Sequence, residues 1–272
     1  MPVKMNPLAV VARTPKNNCR ECGYPTCLAF GVAVSATGID PRCCPHINLV
    51  GLEVQGAGVD LVDGARQRDL ALVEHLKGKI AGVDFAALAP RLGASWNEAT
   101  PEVMRLSYLG QEVLLSKGAI SIDNRVPEDP RDQILIYNYV HSGGGPLPEG
   151  AWLGLESLPN SIAKVRTLAT YCEAPLARLF SEQPPERIIA VAALAGGTLI
   201  GNPGATLTFI FPVLPRLPQQ VIFWEEDADD GFPARVKILF DQRVLDFLDL
   251  ESLVFSGERL AERLTALISG AA

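Results

Sequence analysis

The sequence Cys19-Arg20-Glu21-Cys22-Gly23-Tyr24-Pro25-Thr26-Cys27, together with Cys43-Cys44-Pro45, sets the organisation of this chain. Five of the six cysteines in 272 residues lie within these 27 positions, and Cys172 is the sixth. Such a concentration of thiols predicts a disulfide knot, a zinc site or an iron–sulfur cluster. The first 15 residues hold only a five-residue apolar run, too short for the core of a secretory signal. Clustered cysteines in a chain that is not exported more often bind metal than form disulfides.

The spacing of the cysteines favours an iron–sulfur cluster over zinc. Counted from Cys19 to Cys44, the pattern is C-x2-C-x4-C-x16-C. Four thiolates suit both a tetrahedral zinc ion and a [4Fe–4S] cluster. Zinc sites usually combine two C-x-x-C pairs, and the second pair is missing here. Proline directly after the last cysteine also occurs in bacterial ferredoxins, so the spacing favours the cluster and leaves zinc as the alternative.

The residues between the cysteines predict surroundings that suit an anionic cluster. Gly23 has no side chain, so the backbone beside Cys22 can approach inorganic sulfide closely. Pro25-Thr26 is typical of the beginning of a helix. This helix is expected to carry Cys27 in its first turn and to end at Gly38. Its amino-terminal end would direct backbone amides and a positive dipole towards the cluster.

Further predictions concern the shell around this site. We expect Leu28 and Val32, with the neighbouring alanines, to form an apolar wall that limits water near the sulfides, and His46 to tune the cluster through a hydrogen bond. Residues 1–50 contain five basic and two acidic side chains, a net charge of +3, which leaves −10 for the rest of the chain. This basic excess either offsets the charge of the cluster or serves docking on an acidic surface.

The stretch 22–30, with Cys44-Pro45, resembles the small [4Fe–4S] domain of the corrinoid iron–sulfur protein's large subunit, and similar modules occur in the Rnf electron-transport complex. The resemblance implies one [4Fe–4S] cluster with four ligands, which are Cys19, Cys22, Cys27 and Cys44. Cys43 departs from the pattern and is the alternative to Cys44, which keeps both the spacing and the following proline. By analogy, the resemblance implies electron transfer to a redox partner protein, with a corrinoid as a further cofactor and a corrinoid protein or its methyltransferase as the partner.

The rest of the sequence predicts a larger α+β domain. Helices are expected at 66–79, 85–92, 131–141, 186–194 and 251–268, and Asn160 is expected to cap another that runs through Tyr171. Strands are expected at 104–108, 112–115, 119–122, 152–155, 206–211, 220–224 and 235–240, and the glycine-rich segment up to Ile200 is expected to be a turn. Because these elements lack a βαβ rhythm, we predict an α+β fold in which a small cysteine-rich helical domain precedes a mixed domain.

The predicted boundaries are a cluster domain at 1–50, a connector at 51–65 and a body at 66–272. The body resembles an uncharacterised domain of anaerobic bacteria and archaea that often follows such a cluster domain. The residues that carry this resemblance are 134–140, 152–159, 212–224 and 232–241. The resemblance supports the boundary and implies no activity, so whether the chain is an enzyme stays open.

Composition narrows the function classes further. The net charge of −7 disfavours nucleic acid as a partner. No apolar run approaches the roughly 18 residues needed to span a bilayer, so a cytoplasmic protein without a membrane span is expected. Together with these observations, the resemblance implies a [4Fe–4S] electron-transfer protein of anaerobic metabolism. Two alternatives stay open: a non-catalytic assembly or partner-binding module with a structural cluster or zinc, and a metal- or cofactor-dependent enzyme with its site in 66–272.

Overall fold

The computed structural model describes residues 6–19, 21–24, 26–37, 39–49 and 61–270. The chain divides into two compact units, Met1–Leu70 and Ala71–Ala272. Most of the predicted connector, residues 51–60, lies outside the described residues. Its last five residues, 61–65, are helical.

Short helices and loops build the amino-terminal unit around the cysteines. Helix α1 is Pro7–Val11, helix α2 is Cys27–Thr37, and a 3-10 turn covers Pro41–Cys43. The hydroxyl of Thr26 accepts a hydrogen bond from the amide of Ala29 at 3.0 Å, as expected of a residue that caps a helix start. The small core of the unit contains Val10, Phe30, Val34, Ile39 and Cys44.

Helices α1 and α2 cross closely at Gly31. A Cβ atom at this position would lie 2.7 Å from the carbonyl oxygen of Pro7 and 2.8 Å from Cγ2 of Val11. Contacts this short do not occur in folded proteins without displacement of one partner. The missing side chain is therefore what lets α1 pack against the helix that begins at Cys27.

We expect Gly31→Ala to push α1 away from α2 and to destabilise the amino-terminal unit by about 1–3 kcal/mol, the usual effect of overpacking. Amide hydrogen exchange of peptides from α2 measures this as faster exchange in the variant. Gly78→Ala is the matched control, because Gly78 also lies in a helix and a Cβ there would have nothing within 4 Å. Unchanged exchange in Gly31→Ala would show that the close crossing does not hold the two helices together.

The rest of the chain combines helices with antiparallel strands. The helices are α3 Leu61–Ile80, α4 Phe85–Leu92, α5 Pro130–His141, α6 Ile162–Leu168, α7 Ala174–Ser181, α8 Pro185–Leu194 and α9 Leu250–Ser269. The strands are β1 Ser95–Trp96, β2 Val103–Tyr108, β3 Gln111–Ser116, β4 Ile120–Ile122, β5 Trp152–Gly154, β6 Thr198–Ile200, β7 Leu207–Leu214, β8 Leu217–Trp224 and β9 Arg235–Asp241. A small cysteine-rich helical region followed by a larger mixed region confirms the predicted α+β class.

Two antiparallel sheets form among these strands, in the orders β1-β2-β3-β4 and β5-β9-β8-β7-β6. The β2–β3 turn has positive φ angles at both central residues, 49° at Leu109 and 79° at Gly110, which is the geometry of a two-residue type I′ hairpin. Helix α9 buries Leu253, Leu260 and Leu264 in the main core. The sheet-and-helix core therefore forms as the hydrophobic periodicity predicts.

Three local predictions about the body are wrong. Helix α3 begins at Leu61, five residues before the predicted start. Asn160 does not cap a helix: its φ is 59°, and α6 begins at Ile162 after Ser161. The end of that same predicted helix at Tyr171 is wrong too, because α6 continues through a π-helical turn at Ala169–Glu173 directly into α7. The predicted turn before Ile200 contains β6, a short edge strand that exposes Leu199.

Candidate metal centre

The four cysteines predicted as ligands all lie in the amino-terminal unit. The pKa of the Cys44 thiol is raised, first by burial and then by repulsion from the thiols of Cys22, Cys19 and Cys27. Because such repulsion weakens with distance, it indicates that the three thiols lie in the same region of the unit as Cys44. Cys27 and Cys44 are buried, whereas Cys19 and Cys22 are half-buried. We call these four residues the thiol quartet.

The other two cysteines lie in different surroundings. Cys43 is exposed, and its thiol interacts with the guanidinium of Arg42, whose pKa is raised mainly by its hydrogen bond to Asp40. Cys172 is fully buried in the body, and this burial raises the pKa of its thiol. The geometry therefore favours Cys44 over the adjacent Cys43 as the fourth member of the quartet.

The loop before α2 positions Cys27. Asn18 has a left-handed backbone with φ of 52°, and its Oδ1 accepts a hydrogen bond from the amide of Cys27 at 2.8 Å. The pKa of the Cys27 thiol is lowered, mainly by the hydroxyl of Thr14 and then by the backbone N–H groups of Asn18 and Lys16. The Thr14 hydroxyl lies at the end of α1, where it donates to the carbonyl of Val11 at 2.8 Å. Donors of this kind stabilise negative charge on sulfur.

Sequence reasoning did not identify Thr14 and Asn18 as parts of the site. The available signal was a pair of short polar side chains close before the first cysteine, which is typical of residues that hydrogen-bond to nearby backbone. Only the fold shows that their partner is Cys27, the first residue of the next helix.

A second group of ligand atoms lies at the exposed edge of the quartet. One side-chain ligand atom from each of Cys19, Glu21 and His46 lies within 4.8 Å of the other two. His46 Nε2 is 2.8 Å from Glu21 Oε2, and the backbone N–H of His46 also hydrogen-bonds to the sulfur of Cys44. The ring of His46 is thus close to Cys19, as the predicted tuning role requires, and the three side chains are of the types that bind metal.

The predicted apolar wall of Leu28 and Val32 is wrong. Their side chains are 52% and 47% exposed, so they do not shield the sulfurs. Helix α2 is apolar on every face, and its inner face is occupied by Phe30 and Val34, which pack with Val10. Water is kept from Cys44 by this inner cluster instead.

The donor set fits an iron–sulfur cluster. Thiolates are the usual ligands of iron–sulfur clusters, and N–H donors to the ligand sulfurs are a common feature of their surroundings. Here four thiols lie in one small unit, and backbone N–H groups of Lys16, Asn18 and His46 hydrogen-bond to the sulfurs of Cys27 and Cys44. All six cysteines of the chain are free thiols in the structure, so the quartet is available for metal.

Comparison with known proteins supports the same division of the chain. Residues 15–46 match a family model described as "Putative Fe-S cluster", and this segment contains the whole quartet. No curated protein and no solved structure matches the chain. The match confirms the predicted iron–sulfur domain, and it lies ahead of a separate, uncharacterised domain. The model of that second domain, described as Domain of unknown function (DUF3786), matches residues 84–263, which are 180 of the 272 residues, and the chain therefore belongs to the DUF3786 family.

Proposed function

We propose that Cys19, Cys22, Cys27 and Cys44 bind one [4Fe–4S] cluster and that this cluster transfers single electrons. The observation that supports this most directly is the interaction of the buried Cys44 thiol with the other three thiols of the quartet. In the proposed organisation, residues 1–50 hold the cluster, residues 51–65 connect, and the body at 66–272 docks a partner or holds a further cofactor.

The ligand set supports electron transfer rather than chemistry at an iron. Four thiolates complete the coordination of a [4Fe–4S] cluster, so none of its irons is open to a substrate. With four thiolates the oxidised cluster carries a net charge of about −2, which disfavours addition of an electron and makes the reduced form a strong donor. The N–H donors at Cys27 and Cys44 offset part of this charge. Because the remaining negative charge still disfavours addition of an electron, we propose a low reduction potential.

A redox titration tests this function. The anaerobically purified chain is titrated with dithionite while visible absorption and electron paramagnetic resonance are recorded. We expect reversible uptake of one electron per cluster at a potential in the range of low-potential ferredoxins. A bound cluster that takes up no electron would instead support the alternative of a structural cluster in an assembly module.

The partner is proposed from the resemblance alone. A corrinoid protein or its methyltransferase is the partner class that the resemblance implies, because there a cluster of this kind reactivates oxidised cobalt. The reduced chain is mixed with a cob(II)alamin-loaded corrinoid protein, and formation of cob(I)alamin is followed by its absorption. No reduction of the cobalt by a fully reduced chain would exclude this partner and leave the cluster assignment unaffected.

No helix among the described residues combines the length and the apolar composition that crossing a bilayer requires.

A further inference from the structure

An exposed apolar surface begins directly after the first residue of α2. Leu28 follows Cys27 in the sequence, and Leu28 and Val32 are four residues apart, so they are neighbours on one face of the helix. Both are about half exposed, although α2 is among the most apolar segments of the chain. A helix that is apolar on all sides is normally covered on all sides. The surface formed by Leu28 and Val32 thus has the character of a contact site.

A positive charge lies beside this surface. The backbone N–H of Lys16 hydrogen-bonds to the sulfur of Cys27, which places Lys16 next to the first turn of α2, and its side chain is exposed. The carboxylate of Asp40 pairs with the guanidinium of Arg42, and that of Glu21 lies against the ring of His46. Asp40 and Glu21 are the two acidic residues of the first 50, where basic residues are in excess by three. An approaching protein would therefore meet an apolar contact with a basic edge.

We propose that Leu28, Val32 and Lys16 form the docking surface for an acidic electron-carrier protein of the ferredoxin or flavodoxin class. This inference rests on the function proposed above. Opposite charge steers the encounter and raises the association rate, and apolar contact then holds the two proteins together. Because the surface starts next to Cys27, a docked carrier lies within a short distance of the thiol quartet. In the transfer, one electron leaves the chain and one enters the oxidised carrier. A ferredoxin takes up the electron alone, whereas the flavin of a flavodoxin also takes up one proton from the solvent.

The test uses the full holo chain and an acidic flavodoxin as the probe. Binding of the two oxidised proteins is measured by calorimetry, and electron transfer from the reduced chain is measured by stopped flow. We expect Leu28→Asp combined with Val32→Asp to lower both the affinity and the second-order rate constant at least about tenfold. Lys16→Glu should lower the rate at low salt, and this difference should disappear at high salt because screening removes the steering.

Two controls separate docking from other effects. Leu199→Asp places a single aspartate at a similarly exposed leucine, in β6, and should change neither quantity. Benzyl viologen, a small oxidant that needs no docking surface, should oxidise every variant at the same rate. If neither the unsubstituted chain nor any variant reduces benzyl viologen, the proposed electron-transfer function is wrong. Binding measured by calorimetry still tests the docking surface in that case.

Two results would overturn the docking proposal. In one, Leu28→Asp with Val32→Asp binds the flavodoxin and reacts with it as the unsubstituted chain does. In the other, sedimentation shows that this variant has lost a dimer present in the unsubstituted chain, which would make a second copy of the chain the occupant of the surface.

Discussion

Replacement of Cys44 by serine is expected to abolish stable cluster binding, whereas replacement of Cys43 by serine is expected to leave it intact. The Cys44 thiol is buried and lies near the other three thiols of the quartet. The Cys43 thiol is exposed and interacts with Arg42 instead. A serine hydroxyl is not ionised near neutral pH and does not replace a thiolate at iron. After anaerobic reconstitution, iron per chain should fall from about four to less than about one in Cys44→Ser.

The neighbouring position supplies the control for this prediction. Cys43→Ser makes the same chemical change one residue away, and we expect about four irons per chain to be retained. If the two variants gave the opposite result, Cys43 would be the ligand and the spacing argument would be wrong. If both single variants kept their iron and only the double variant lost it, the two thiols would be interchangeable.

The second large effect is expected at Arg259, in a buried ion-pair network of the body. Its Nε and Nη2 atoms donate to the two carboxylate oxygens of Asp132 at 2.8 and 2.9 Å, and its Nη1 atom donates to Asp129 at 3.0 Å. The side chains of Arg259 and Asp132 are only 14% and 12% exposed. Tyr108 is fully buried and donates to Asp132 at 2.6 Å, and its pKa is raised well above the usual value, mainly by burial and then by the Asp132 charge. The network joins α9, α5 and β2.

Arg259→Ala should therefore destabilise the body by about 3–5 kcal/mol, because it leaves the buried charge of Asp132 without its main partner. Urea unfolding followed by tryptophan fluorescence measures this change specifically, since the three tryptophans, Trp96, Trp152 and Trp224, all lie in the unit Ala71–Ala272. The control is Arg105→Ala.

Arg105 pairs with Glu112 at 3.4 Å, and both side chains are about half exposed. Exposed pairs of this kind contribute at most about 1 kcal/mol, so Arg105→Ala should shift the urea midpoint little. Equal shifts in the two variants would mean that the buried network contributes no more to stability than a surface ion pair.

The fold could be predicted where side-chain periodicity or turn chemistry left few alternatives. The β2–β3 hairpin is an example, because apolar residues alternate on both sides of Gly110 and a two-residue turn fits between them. Helix α9 is another, since Leu253, Leu260 and Leu264 recur at helical spacing and are buried. The predicted helix ended at Tyr171, although the helical segment continues, because a π-helical turn is not marked by a periodic pattern of apolar residues.

The sequence predicts the thiols of the site but not their surroundings. Spacing and resemblance together indicated which cysteines to expect. The exposure of Leu28 and Val32 could not be predicted, because a helix that is apolar on every face gives no periodic signal for its inner side. The hydrogen bonds from Thr14 and Asn18 depend on how the preceding loop folds over Cys27. Arg259 and Asp132 were missed because charged residues are usually exposed.

The most direct test is the metal and sulfide content of the chain after purification without oxygen. We predict about four iron and four inorganic sulfide per chain, with broad visible absorption that dithionite bleaches. A colourless preparation with one zinc ion per chain and no sulfide would contradict the assignment. Four thiolates are also a usual tetrahedral ligand set for zinc. The quartet would then be a structural zinc site, and the proposed electron transfer would have no centre.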